Sequence, residues 1–383
     1  MPDLDSYSFD IGPIRPPSEA YSLLIRATRN CPWNRCEFCA VYKGKRFQLR
    51  TVEEIKGDIE TARAISKEIR ELAEREGYGG GVREAAAMVY NHPRYNESVR
   101  SVALWLYFGA ESAFLQDANS LVMRTPELLQ VLIFLKESLP SLNRITSYGR
   151  SKTAAKKSIE EMKEIYNAGL SRLHLGLETG YDELLSYTQK GVTAEEQIRG
   201  GINVREAGIS LSEYVMPGLG GKKWSREHAE QTARVLNEIN PDYIRLRTTR
   251  IREGMPLLQK IHDGEFELQT EDEVVEEIGI FVEGLNCRSE LKSDHIINLL
   301  PEVEGNLPQD KEKILAVINR YLALPYNERL NYQLGRRAGL YERLDELYDD
   351  RKHENVELAM KRIEAESPGG VAEAIENLKS RMM

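Results

Sequence analysis

Cys31, Cys36 and Cys39 fall within nine residues and are three of the chain's four cysteines. In a chain that keeps its thiols reduced, such clustering points to metal rather than to a disulfide. Three thiolates from one short loop can hold three irons of a cubane and leave the fourth iron open to a small molecule. Structural zinc asks for four closed ligands at paired spacings, and the chain has no second Cys-x2-Cys and no His-x3-His. Packing of the three cysteines as small apolar side chains fits poorly with Asn34, Arg35 and Glu37 between them, which read as loop. Cys287 is far downstream and without a neighbour. It is a candidate hydrogen-atom donor, although a lone cysteine is usually a small buried side chain.

A strand expected at 21–27, followed by Cys-x4-Cys-x-Phe-Cys, resembles the cluster loop of radical S-adenosylmethionine (SAM) enzymes. The commoner first gap in that superfamily is three residues; here Pro32, Trp33, Asn34 and Arg35 make it four. The string His174-Leu175-Gly176-Leu177-Glu178-Thr179-Gly180 resembles the fourth-strand motif of the coproporphyrinogen-oxidase-like and Elongator-like branch. The resemblance runs from about Tyr21 to Pro256 and implies one 4Fe-4S cluster on Cys31, Cys36 and Cys39, with S-adenosyl-L-methionine on the open iron. It further implies reductive cleavage to a 5'-deoxyadenosyl radical, hydrogen abstraction from a substrate, and a flavodoxin- or ferredoxin-type electron donor. In such enzymes the cofactors carry the hard chemistry, and the protein supplies position and dryness.

Carried over residue by residue, the resemblance puts Phe38 near the adenine and Glu178 on S-adenosylmethionine. Gln116, Asp117 and Asn119 stand where a Gly-Gly-Glu-like motif would hold the methionine amino group, a carboxylate opposite an ammonium being the right pairing. Arg150 is a candidate for the methionine carboxylate, and Gly218, in the string 216–221, for close approach of adenine or ribose; that string reads equally as a tight turn. Arg245, Arg247, Arg250 and Arg252 are candidates to grip an anionic substrate, at most about half of them from one strand face. If residues 293–298 form a helix over a barrel mouth, Asp294, His295 and Asn298 share a face within reach of the substrate, and Asp294 and His295 join Cys287 as catalytic candidates.

These residues need strand ends to hold them. Apolar strands are expected at 21–27, 102–108, 144–148, 172–177, 210–216 and 243–247, with helices at 51–75, 126–138, 153–168, 181–187, 193–207 and 225–239; a glycine-rich string at 77–81 ends the first helix. This alternation predicts an α/β chain, a partial (β/α)6 TIM-like barrel with a helical C-terminal extension, and chemistry at strand C-terminal ends. The expected divisions are an N-terminal segment at 1–20, the barrel at 21–265 with an insertion at 82–100, a helical cap at 266–340 without strands, and a solvated helical tail at 341–383.

With 383 residues, 41% hydrophobic, 30% charged and a net charge of -9, the composition is that of an ordinary soluble protein. The acidic balance disfavours a broad phosphate-binding surface and makes nucleic acid the less favoured partner. No leader and no spanning segment are evident, so a cytoplasmic location and no membrane partner are expected. One spare cysteine excludes an auxiliary cluster, and the short stretch before the first strand leaves no room for a cobalamin domain. An acetyltransferase partner domain is also missing from the expected organisation. The leading expectation is a single-cluster radical enzyme, a lyase or oxidoreductase, acting on a small, anionic organic substrate. The alternatives are modification of an RNA base and an iron-sulfur electron-transfer or scaffold protein.

Overall fold

The computed structural model describes residues 4–75 and 81–382. In chain order the elements begin with β1 (Leu23–Arg26), β2 (Thr28–Arg29), β3 (Gln48–Leu49), α1 (Val52–Arg75), α2 (Val82–Asn91), α3 (Glu97–Tyr107) and β4 (Ser112–Gln116). Next come α4 (Thr125–Ser138), β5 (Arg144–Gly149), α5 (Ser151–Ala154), α6 (Ile159–Asn167), β6 (Leu170–Glu178), α7 (Asp182–Tyr187), α8 (Ala194–Glu206) and β7 (Ser210–Val215). The remainder is α9 (Gly221–Ile239), β8 (Tyr243–Leu246), α10 (Leu257–His262), α11 (Glu271–Gly284), β9 (Glu290–Lys292), β10 (Gly305–Asn306), α12 (Lys311–Leu322), α13 (Tyr326–Arg337), α14 (Asp350–Glu366) and α15 (Gly370–Arg381).

Eight strands share one sheet in the order β1-β4-β5-β6-β7-β8-β9-β10. β1 pairs parallel with β4, β4 with β5, β5 with β6, β7 with β8 and β8 with β9, whereas β10 is antiparallel to β9. The α/β class and the strand–helix succession are those the sequence predicts. No helix among the described residues is long and apolar enough to cross a membrane. The chain forms two compact units, one of residues 1–34, 41–175 and 199–211, the other of 35–40, 176–198 and 212–383. β6 and β7 each run through both.

In the first unit, α1 starts at a capping box: Thr51 Oγ1 accepts from the Glu54 amide (3.2 Å), and Glu54 Oε2 accepts from the Thr51 amide (2.8 Å). Its buried stripe is Val52, Ile55, Ile59, Ala62, Ile65, Ile69 and Leu72, spaced three or four apart. Residues 102–108, whose apolar run predicts a strand, belong mostly to α3. Val99, Val102, Ala103 and Leu106 are its buried face, a helical period that a short apolar run conceals. The second strand is Ser112–Gln116 instead. Residues 82–100 are no loose insertion, because α2 buries Ala85, Ala86 and Val89 and packs on α1 and α3. Of the expected glycine string, only Gly81 lies among the described residues.

In the second unit, strands continue past 270 as β9 and β10, so the segment at 266–340 is not purely helical. Residues 293–298 are turn rather than helix. Their polar groups serve the β8 end: Asn298 Oδ1 accepts from the Thr248 amide (3.1 Å) and hydroxyl (2.9 Å), and its Nδ2 donates to Leu246 O (3.1 Å). Nor are residues 341–382 a solvated tail. Val356, Val371 and Ile375 are buried, α14 and α15 pack on α13, and buried Glu271 receives Arg337 (2.6 Å) and Lys379 (3.4 Å).

Candidate functional site

In the first unit the cysteine loop is tied down from several sides. Asn30 (φ 68°) and Asn34 (φ 50°) bracket Cys31 in left-handed conformations, which short polar side chains tolerate. The Asn34 amide donates to Cys31 Sγ at 3.4 Å. Asn34 Nδ2 donates to Tyr42 O (2.5 Å), and Asn30 Nδ2 to Arg46 O (2.7 Å).

Asp117 is fully buried at the end of β4 and saturated with donors. Its Oδ2 accepts from Arg26 Nε (3.2 Å), Arg26 Nη2 (2.7 Å) and the Asn30 amide (3.0 Å), and its Oδ1 accepts from the Tyr42 hydroxyl. Burial, and then the Asp117 charge, push the Tyr42 phenol far above its ordinary range. Gln116 is used the same way: its Oε1 takes the Gly12 amide (2.8 Å), and its Nε2 donates to Gly12 O (3.0 Å) and Ile14 O (2.7 Å). Both side chains thus brace the cysteine loop and the N-terminal segment, and their groups do not await a ligand ammonium. Asn119 Oδ1 accepts from the Arg150 amide (3.2 Å) and its Nδ2 donates to Thr153 (2.9 Å), while the Arg150 guanidinium stacks 5.1 Å from the Trp33 ring. Arg150 is therefore beside the cysteine loop.

The second unit holds Cys36 and Cys39 against an apolar cluster of Phe38, Leu184 and Leu219. Glu37 pins this part of the loop: its amide donates to Thr188 O (2.9 Å), and its carboxylate takes Gln189 Nε2 (2.7 Å) and Lys260 Nζ (2.6 Å). Glu178 ends β6 in a left-handed conformation (φ 65°), with Lys190 Nζ at 2.9 Å from Oε1. Lys190 also stands 5.6 Å over the Phe38 ring. A methyl group on Gly176 would come within 2.2 Å of Glu178 Oε1, so glycine keeps that carboxylate's place open.

Sequence reading misses the most telling residue here. Glu213, on β7, is completely buried, and neither of its carboxylate oxygens has a hydrogen-bond partner among the described residues. Burial first, then the Glu178 charge, raise its pKa well above the ordinary carboxylate range, with Lys190 opposing. The signal available was a single acid inside an expected strand, where a charge is costly without a partner. Lys190, twelve positions after Glu178, offered no pattern at all.

Gly218 adopts φ +85° and its amide donates to Glu277 Oε1 (2.7 Å). Asp294 is clasped by Arg245 and by Arg247 (2.7 Å), which hold its carboxyl below the usual range against the opposing effect of burial. His295 is drawn down to about 4 by burial and by Arg247, so it is neutral at physiological pH. Cys287 precedes β9 and touches Ser289 (3.4 Å) and, through its amide, Asn237 (3.1 Å), at the strand N-terminal ends. The structure does not bring it to the strand ends where Glu178 and Gly218 stand.

The donor set suits an iron–sulfur cluster. All three loop thiols are half-buried, Cys31 accepts an amide hydrogen bond, and Cys36 and Cys39 have apolar surroundings, conditions that govern cluster potential and stability. No three His, Cys, Asp or Glu side chains among the described residues converge to hold a single metal ion.

The chain resembles radical S-adenosylmethionine enzymes. No family model matches it. Two curated tRNA uridine(34) acetyltransferases are similar over somewhat less than a third of the chain. That of Methanocaldococcus jannaschii is 27% identical over 123 residues, 30% of this chain and 22% of its own, and that of Methanocaldococcus infernus is 27% identical over 127 residues, 32% and 23%. The chain thus spans less than a quarter of either relative. Among solved structures, the radical S-adenosylmethionine methyltransferase TsrM from Kitasatospora setae overlaps with a TM-score of 0.43 at 16% identity, covering 63% of this chain and 39% of that one. Coproporphyrinogen III oxidase from Escherichia coli, a radical SAM enzyme, gives 0.38 at 15%, covering 45% and 40%. Overlap at this level carries no residue role across.

Proposed function

We propose that the chain is a radical S-adenosylmethionine enzyme with one 4Fe-4S cluster on Cys31, Cys36 and Cys39. Glu213 is the observation that carries this reading. A buried carboxyl without a partner destabilises a fold unless something else bonds it, and vicinal hydroxyls of a ribose suit a neighbouring pair of carboxyls. Glu178 and Glu213 then hold the ribose, Lys190 fixes Glu178, and Phe38 covers the adenine. When bound, the reduced cluster supplies the electron that cleaves the sulfonium to a 5'-deoxyadenosyl radical. The apolar shell of Phe38, Leu184 and Leu219 keeps water from the site.

The test is equilibrium binding of S-adenosylmethionine to the iron-loaded protein. Glu213→Gln and Glu178→Ala should each weaken binding about tenfold or more, the loss of one good hydrogen bond to a buried ligand, with iron content unchanged. Unaltered affinity in both variants would remove these residues from the site, and no affinity in the parent protein would favour an electron-transfer or scaffold role.

The substrate has two readings. The arginines behind the small-anion reading are largely engaged: Arg245 and Arg247 on Asp294, and Arg250 on the carbonyls of Ser380 and Met382. The similar proteins named for tRNA uridine 34 favour an RNA base as substrate, and with it a nucleic-acid partner that the net charge alone disfavours. Electrophoretic titration with total tRNA separates the two, since micromolar, salt-sensitive binding supports the RNA reading and its absence supports the small molecule.

A further inference from the structure

Glu178 is the central residue of a γ-turn: its φ is 65°, and the Thr179 amide donates across it to Leu177 O (2.9 Å). A γ-turn with positive φ is rare and strained in a residue that has a Cβ, so the surroundings must impose it. Helix α9 does so. Gly180 lies so close to that helix that a methyl group on it would come within 2.6 Å of Gln231 O, and its amide donates to Thr232 Oγ1 (2.9 Å). One helical turn earlier is His228, 1% exposed, with Nδ1 at 2.8 Å from Thr179 Oγ1 and Nε2 at 3.0 Å from Met216 O. A carbonyl oxygen only accepts, so Nε2 carries the proton and Nδ1 accepts from the Thr179 hydroxyl. Thr179 Oγ1 in turn accepts from the Tyr181 amide (3.2 Å). The Met216 amide donates to Glu178 O (3.0 Å), which closes a ring through Glu178, Met216, His228 and Thr179. Glu277 Oε1 is 3.5 Å from His228 Nε2, but it already takes the Gly218 amide (2.7 Å), and the Met216 carbonyl is nearer.

We propose that His228 is a positioning residue for S-adenosylmethionine: as a neutral imidazole it fixes the turn from which the Glu178 carboxylate reaches the cofactor. The proposal rests on the reading of Glu178 given above. His228 acts through the backbone on either side of Glu178. It accepts from the hydroxyl of Thr179, the next residue, and donates to the carbonyl of Met216, whose amide holds Glu178 O. When the Thr179 bond is withdrawn, the turn relaxes toward the negative φ that side chains favour, and the carboxylate swings away from Lys190. What matters is therefore one hydrogen bond to the ring, and its loss is felt only through Glu178.

The experiment measures S-adenosylmethionine affinity of the full, iron-loaded chain by equilibrium dialysis, with circular dichroism to verify folding. Thr179→Val removes the donor of the hydrogen bond, and His228→Gln removes its acceptor while keeping an amide donor for Met216 O. Each should weaken binding about fivefold, and the double variant should match either single one within about twofold. In a Glu178→Ala background neither substitution should change affinity by more than about twofold, which a merely structural residue would not satisfy. Nitrogen-15 spectra of histidine-labelled protein without cofactor should show a neutral ring protonated at Nε2 near neutral pH, assigned to His228 by its absence from His228→Gln. Parent affinity in both single variants, losses that multiply in the double variant, full-sized losses without the Glu178 carboxylate, or a charged ring each overturn the proposal. If Glu178→Ala itself binds as tightly as the parent, the reading of Glu178 fails and the proposal falls with it. A weakened Glu178→Ala beside unaffected Thr179→Val and His228→Gln removes the positioning role alone.

Discussion

Two buried acids belong to the sheet, Asp117 just past the end of β4 and Glu213 inside β7, and they differ in what surrounds them. Asp117, after β4, takes four donors from Arg26, Asn30 and Tyr42. Glu213, on β7, takes none. An acid saturated by the protein is a brace, and here it positions the loop that carries Cys31. The unsatisfied acid is the one for which we propose a ligand, and its charged neighbours are Glu178 and Lys190.

Removing the brace should have the largest effect. Asp117→Ala leaves Arg26 with Asp10 alone (2.9 Å) and strands the Tyr42 hydroxyl, and should lower unfolding free energy by about 3 kcal/mol, with iron loading falling too. A loss below about 1 kcal/mol by urea titration would mean that Asp117 is not structural. Replacing Glu213 should do the reverse. Its folded pKa is raised, so the carboxyl's contribution is intact at low pH and is lost as pH rises from the ordinary carboxylate range toward the folded value. Glu213→Gln should therefore match the parent near pH 5 and exceed it in thermal stability at pH 8. A variant less stable at both values would show that the acid is a brace like Asp117.

Lys190→Met should sharpen the contrast, by loosening Glu178 and weakening S-adenosylmethionine binding several-fold while iron stays bound; lost iron would place Lys190 in the metal site instead. The smallest effect belongs to Cys287→Ser. Buried at the strand N-terminal ends, it should cost about 1 kcal/mol and leave iron and product unchanged. Abolished product with normal cofactor binding would restore it as a hydrogen-atom donor.

What could be read from the residue string follows the same division. Cys31, Cys36 and Cys39 were legible because thiols are rare and their spacing is local. β5, β6, β7 and β8 were legible from apolar runs, and Glu178 from the glycines around it. The strand expected at 102–108 failed because seven apolar residues fit either period, and only the partners of Val99, Val102 and Leu106 decide for helix. Asp117 was visible as an acid at a strand end, but its four donors come from residues 26, 30 and 42, which only folding assembles. Glu213 was passed over because its meaning lies in an absence of partners. Asp294 and His295 were grouped by a helix that is a turn, and Asp294 is engaged by two arginines from the β8 end.

The most direct test of the central claim is anaerobic reconstitution with iron and sulfide, addition of dithionite and S-adenosylmethionine, and chromatography for 5'-deoxyadenosine. The account predicts product that disappears in Cys31→Ala, Cys36→Ala and Cys39→Ala alike and falls sharply in Glu213→Gln. Product that survives loss of any one of the three cysteines, or a fully loaded protein that binds S-adenosylmethionine without ever cleaving it, would contradict it.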